Sequence, residues 1–153
     1  MMFMKSIFAL AAFATAVYAQ SVTIAAPVEG TSVTAGQNFT VDIARPNTLS
    51  PSQEVAVVIG LVSCSEAPFN GNCASFDVSQ IFGTILYNGP YTPTLHNGPS
   101  PDFIDFYQNF TLTVPSWFTP GSASLNVAHV SLIGAGPFPD LEVKNITLNV
   151  VAA

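Results

Sequence analysis

The chain is predicted to be all-β, a single sandwich of about seven strands, and three features of the sequence carry that expectation. Beyond the first twenty residues no segment sustains the i, i+3, i+4, i+7 apolar spacing of an amphipathic helix. Period-two alternation and β-branched runs recur instead to the C-terminus. Turn formers separate them at short intervals: Glu29-Gly30, Ala35-Gly36, Pro46-Asn47, Asn70-Gly71, Asn88-Gly89-Pro90, Pro115, Pro120-Gly121 and Gly134-Ala135-Gly136-Pro137.

Residues 1–19 have the form of a secretory signal peptide. Lys5 supplies the positive region, Ile7 to Val17 the apolar run, and Val17-Tyr18-Ala19 the small-residue cleavage pattern. The mature protein is then expected to begin at Gln20 and to form one domain, 20–153, with enough chain for its own core. The apolar run is too short to span a membrane, and the tail from Ile146 lacks the spacer of a lipid-anchor signal. A freely secreted, extracellular product is expected.

Seven strands follow, at Ser21–Ala25, Phe39–Ala44, Glu54–Ser63, Gln80–Tyr87, Asp105–Val114, Ala123–Ile133 and Leu141–Val151. Alternation assigns their faces. Phe39, Val41 and Ile43 oppose Asn38, Thr40 and Asp42; Phe110, Leu112 and Val114 oppose Asn109, Thr111 and Thr113; Ile146, Leu148 and Val150 oppose Asn145, Thr147 and Asn149. Three N-x-[ST] glycosylation acceptors, Asn38, Asn109 and Asn145, therefore fall on polar faces, where a glycan leaves the core intact. Glu54–Ser63 is apolar on both parities, as expected of a central strand covered on both sides. The connection from Asn88 to Ile104, with four prolines, is either functional or disordered.

Composition narrows the function classes. Lys5 leaves with the signal peptide, so Arg45 and Lys144 face all nine carboxylates. Phosphate backbones are repelled by such a balance, which sets aside nucleic acid and anionic membranes. Cys64 and Cys73 pass through an oxidising compartment and are expected to pair, the short loop contributing about 2–3 kcal/mol. A zinc reading of this pair lacks further ligands nearby.

Catalytic candidates are few, and the chain is expected not to be an enzyme. His96 stands beside Asn97-Gly98 as a solvated turn residue, and His129 lies in an apolar strand as a half-buried, hydrogen-bonded side chain. No G-x-S-x-G elbow is present. Asp102 with Asp105, and Asp140 with Glu142, are carboxylate pairs whose default is a solvated surface. Either pair could join a weak calcium site, but no EF-hand loop is present to make that specific, and no metal or cofactor is expected. Copper oxidases of polysaccharides use an N-terminal histidine, and here Gln20 or Ser21 would stand in that place. The aromatics Phe103, Phe106, Tyr107, Phe110, Trp117 and Phe118 cluster between Pro101 and Pro120, as a core lid or as a platform for sugar rings.

Val114-Pro115, Gly121, Leu125-Asn126-Val127-Ala128-His129, Leu132-Ile133-Gly134-Ala135-Gly136-Pro137 and Leu141-Glu142 together resemble the necrosis-inducing secreted (Nis-type) protein family of fungal effectors. The resemblance implies a single immunoglobulin-like β-sandwich that binds plant receptor-associated kinases and suppresses immune signalling. From Val22 through Pro27, Gly30, Val33, Gly36 and Phe39-Thr40-Val41 the chain also resembles immunoglobulin-like modules of fungal cell-wall proteins. A cell-wall or polysaccharide-associated module, with a glycan as partner, is the alternative that this second likeness implies.

Overall fold

The computed structural model describes residues 21–75, 77–96 and 106–153. The signal peptide, Asp102, Phe103, Asp105 and the stretch Asn97–Ile104 lie outside the described residues. Among the described residues nine strands form: β1 (Thr23–Ala26), β2 (Ser32–Thr34), β3 (Asn38–Arg45), β4 (Ser52–Ser63), β5 (Thr84–Pro90), β6 (Thr94–Leu95), β7 (Phe106–Thr113), β8 (Gly121–Ile133) and β9 (Phe138–Val151). The first sheet has the order β1-β3-β7-β6 and the second β2-β9-β8-β4-β5. Stacked face to face, they make an immunoglobulin-like β-sandwich.

The alternating strands place their apolar parity between the sheets. From the first sheet come Val41, Ile43, Phe110 and Leu112, and from the second Val57, Ile59, Leu61, Leu125, Val127, Leu148 and Val150, all buried. Side chains two residues apart on a strand share a face, so each of these runs needs only the right parity to reach the core. Phe118 and Tyr91 are buried with them, whereas Trp117 is 71% exposed. The aromatic cluster is thus divided, with Phe118 in the core and Trp117 outside it.

Four departures from the sequence expectation have local causes. β2 and β6, at three and two residues, are too short to show alternation. β2 pairs in parallel with β9, a partnership that no local pattern announces. Gln80 lies not in a strand but in a turn, because Asp77 accepts from the Ser79 amide and hydroxyl. β5 begins only after Gly83, whose φ of +81° breaks extended backbone. It then runs through Asn88-Gly89-Pro90, tolerable because β5 is an edge strand and Pro90 its last residue.

Cys64 and Cys73 are bonded, with Cα atoms 5.3 Å apart, and both are buried. Beyond the loop, in the connection that leads on to β5, Phe82 lies over part of the outer face of the second sheet. Gly60 belongs to that contact: a Cβ there would stand 2.5 Å from the Phe82 carbonyl oxygen. Asn126 Nδ2 donates to the same carbonyl at 3.2 Å, and Ser124 Oγ donates to Asn126 Oδ1 at 2.7 Å. β4 is therefore covered on both sides at Gly60–Val62 only. At its other end the outer face is half-open.

Candidate functional site

Two features stand out, a buried charge cluster at one end of the sandwich and an apolar outer face. The cluster begins with a β-bulge. β4 slips register between Glu54 and Ala56, so Val55 is pushed outward to 42% exposure while the Glu54 side chain turns inward at 9%. There it meets His129, only 2% exposed, on β8. Its Oε2 lies 2.6 Å from His129 Nε2. On the other side β9 sets Glu142 opposite His129 in register, with Nδ1 3.8 Å from Glu142 Oε2, an ion-pair distance rather than a hydrogen bond.

Further strands close the cluster. Arg45 of β3 brings Nε to 3.0 Å from Glu54 Oε1, held by charge rather than by an aligned hydrogen bond, and Ser52 Oγ donates to that oxygen at 2.9 Å. Lys144 Nζ pairs with Glu142 Oε1 at 2.8 Å. The chain ahead of β1 is pinned to the same carboxylate, by the Val22 amide at 2.9 Å and by the Ser21 hydroxyl. Tyr91 stands edge-on to the imidazole, ring centres 5.2 Å apart, and its Oη donates to the Ile43 carbonyl at 3.0 Å.

The electrostatics agree with the geometry. Burial alone would raise the Glu142 carboxyl, but His129, Lys144, Ser21 and the Val22 amide hold it down at about 2. Glu54 is likewise lowered: the burial cost is outweighed by His129, Ser52 and Arg45. For His129, burial favours the neutral ring, yet the two flanking carboxylates prevail and raise its pKa. A neutral imidazole has one N–H and would turn a lone pair on one of the carboxylates. The imidazolium satisfies both. Tyr91 is raised, by burial first and by the Glu54 charge second.

Both nitrogens of His129 are thus committed to carboxylates within the protein, and the cluster works as a clasp joining β3, β4, β8, β9 and the N-terminal segment. It also gathers both basic side chains of the expected mature chain, Arg45 and Lys144. Among the described residues Glu29, Glu66, Asp77 and Asp140 have no salt-bridge partner, and the outer surface is acidic.

The apolar face lies on the second sheet, beyond the half that Phe82 covers. Register sets Ala56 beside Val130 and Leu141, and Val58 beside Ala128 and Val143, on the outward parity. Leu141 is 69% exposed and the other five are half-buried, an apolar stretch that the described residues leave partly uncovered.

Of the side chains singled out in the sequence, Cys64 and Cys73 are joined, and Asn38, Asn109 and Asn145 are all exposed. His129 is hydrogen-bonded as expected but is buried rather than half-buried. His96 is exposed and stacks on Tyr107 at 3.8 Å. Asp140 and Glu142 do not work as a pair, since Glu142 belongs to the clasp and Asp140 lies opposite Ser131. Sequence reasoning missed Glu54, Arg45 and Tyr91. The signal for Glu54 was a carboxylate at the head of an otherwise apolar strand. Among the described residues no group of three His, Cys, Asp or Glu side chains is arranged to hold a metal ion.

The sequence model of the Nis1 family matches residues 17–149. The chain belongs to the Nis1 family. No curated protein matches it by sequence. Among solved structures it is similar to entomopoxvirus fusolin, a protein described for the enhancement of virulence and for in vivo crystallization into viral spindles. That likeness has a TM-score of 0.50 at 13% identity, covering 82% of this chain and 40% of fusolin. A cellulose-active polysaccharide monooxygenase from M. thermophila gives 0.41 at 11%, covering 81% of this chain and 54% of that one. The extended catalytic domain of H. jecorina LPMO9A gives 0.43 at 18%, covering 82% and 49%. This Nis1-family chain spans about half the length of these structures or less, and at such identities the likeness is one of fold. Among the described residues no helix is long and apolar enough to cross a membrane.

Proposed function

We propose that this Nis1-family protein is a secreted, effector-like binding protein that docks on a protein partner through the apolar half of its second sheet. The observation that carries this reading is the open face of Ala56, Val58, Ala128, Val130, Leu141 and Val143 on a molecule whose outer charge is acidic. The partner that fits presents an apolar patch ringed by Lys or Arg. Plant receptor-associated kinases, bound so as to suppress immune signalling, are the partners that the family resemblance puts first. The Cys64–Cys73 bond supports an oxidising, extracellular destination. Because the clasp commits both nitrogens of His129, it supports recognition rather than turnover as the protein's work.

The test is capture of candidate kinases by the mature protein and by Leu141→Asp. Removing one Leu from a buried contact costs about 2 kcal/mol, so capture should weaken roughly thirty-fold with thermal stability unchanged. A blank across a broad kinase panel, or undiminished capture by the variant, would reject the proposal.

One observation favours a second reading, a cell-wall or polysaccharide-associated module. Trp117 is 71% exposed beside the buried Phe118, ring centres 6.3 Å apart. Sedimentation with chitin and glucan separates the two, since retention lost on Trp117→Ala selects this one.

A further inference from the structure

We propose that N-linked sugars at Asn38, Asn109 and Asn145 guard three open stretches of sheet edge. Each acceptor sits on the part of its strand that has a neighbour on one side only. β1 pairs with β3 at Asp42–Ala44 but not at Asn38. β6 pairs with β7 at Phe106 and Tyr107 but not at Asn109. β2 pairs with β9 from Asn149 onward, and Glu29 and Gly30 bond the Thr147 backbone, so that Asn145, just beyond, is left with β8 alone. These are statements about the described residues. β8, which is paired on both sides along nearly its whole length, contains no acceptor. Other edges are blunted differently: Pro27 follows β1, Pro90 ends β5, and β2 has three residues.

An unpaired edge presents amide and carbonyl groups spaced to receive another strand about 4.8 Å away. A hydrated oligosaccharide rooted beside it is wider than that gap and blocks the approach. The chemistry is glycosyl transfer from a lipid-linked oligosaccharide diphosphate. The Asn amide nitrogen bonds to the anomeric carbon, the bond from that carbon to the diphosphate oxygen breaks, the lipid diphosphate leaves, and the amide gives up one proton. One N–H remains, enough at Asn145 for its contact to Ser124 Oγ at 3.3 Å. At Asn38 the fold uses the carbonyl oxygen, which accepts from Thr113 Oγ1 at 2.6 Å.

The protein is expressed with its leader in a eukaryotic secretory host, and intact mass reads the occupancy. Sedimentation velocity then compares it with N38Q/N109Q/N145Q and N38K/N109K/N145K. Neither triple variant carries sugar, but lysine restores an edge guard of another kind. The glycosylated and lysine forms are expected to stay monomeric, and the glutamine form to assemble about tenfold more. Enzymatic removal of sugar from the folded protein should reproduce the glutamine result, which separates edge protection from a folding defect. Unmodified asparagines, a monomeric glutamine form, a lysine form that assembles like it, or a trimmed protein that stays monomeric would each overturn the proposal.

Discussion

At the scale of single residues, His129 shows how a polar side chain becomes structural. It points into the core because its parity on β8 is that of Leu125 and Val127, and the cost of burying it is met by Glu54 and Glu142. Removing it would leave two facing carboxylates in a closed space. His129→Ala should therefore cost about 3–5 kcal/mol in urea unfolding, more than a cavity of that size would. The pH dependence follows from the directions of the shifts. Glu142 and Glu54 are lowered, so their contribution is complete above the ordinary glutamate value of 4.5 and is lost as pH falls, for Glu142 toward about 2. His129 is raised, so its contribution is complete below 6.5 and is lost as pH climbs through the folded value. Thermal unfolding monitored across pH should peak between 4.5 and 6.5, and His129→Gln should flatten the alkaline limb. A profile equally steep in that variant would put the titration elsewhere. A half-buried, hydrogen-bonded His129 was readable from its apolar strand, and the structure buries it fully. Its partners were not readable, because the bulge at Glu54–Ala56 reverses the parity of the residue before it.

Among the elements, β4 carries the most instructive contrast. Its apolar residues on both parities predict a strand covered on both sides, and at Gly60–Val62 that is the finding. The cover is Phe82, in the connection from Cys73 to β5, and it fits because residue 60 has no side chain. Gly60→Ala would drive a Cβ against the Phe82 carbonyl and ring, at 2.5 and 2.7 Å, and should destabilise the fold by about 1–3 kcal/mol. Amide exchange should then rise at Asn126 and around Phe82 before the rest of β8 loosens. At Ala56 and Val58 the same apolar pattern stays half-open. Composition cannot distinguish a face buried within one molecule from a face available to another, since both exclude water. β5 teaches the converse lesson. Asn88-Gly89-Pro90 has turn chemistry, yet it is strand because a long neighbour, β4, supplies the ladder on one side.

For the molecule as a whole, charge placement bears on the proposed docking. Arg45 and Lys144 are drawn into the clasp, and the outer surface keeps its carboxylates. Association with a basic partner should slow about tenfold between roughly 50 and 500 mM salt while dissociation changes little. Stopped-flow or surface-resonance rates check this, and a salt-independent on-rate would remove charge from the account. By itself the sequence determined the all-β class, the inward parity of β3, β7 and β9, the polar placement of the three acceptor asparagines, and a pairable couple of cysteines. Those are local properties, written in alternation of period two and in short spacings. Only the tertiary structure decided that Glu54, His129, Glu142, Arg45 and Lys144 would converge, which half of the second sheet stays open, and which strand edges lack a neighbour. These depend on register between strands far apart in the chain, and a single bulged residue is enough to change the outcome.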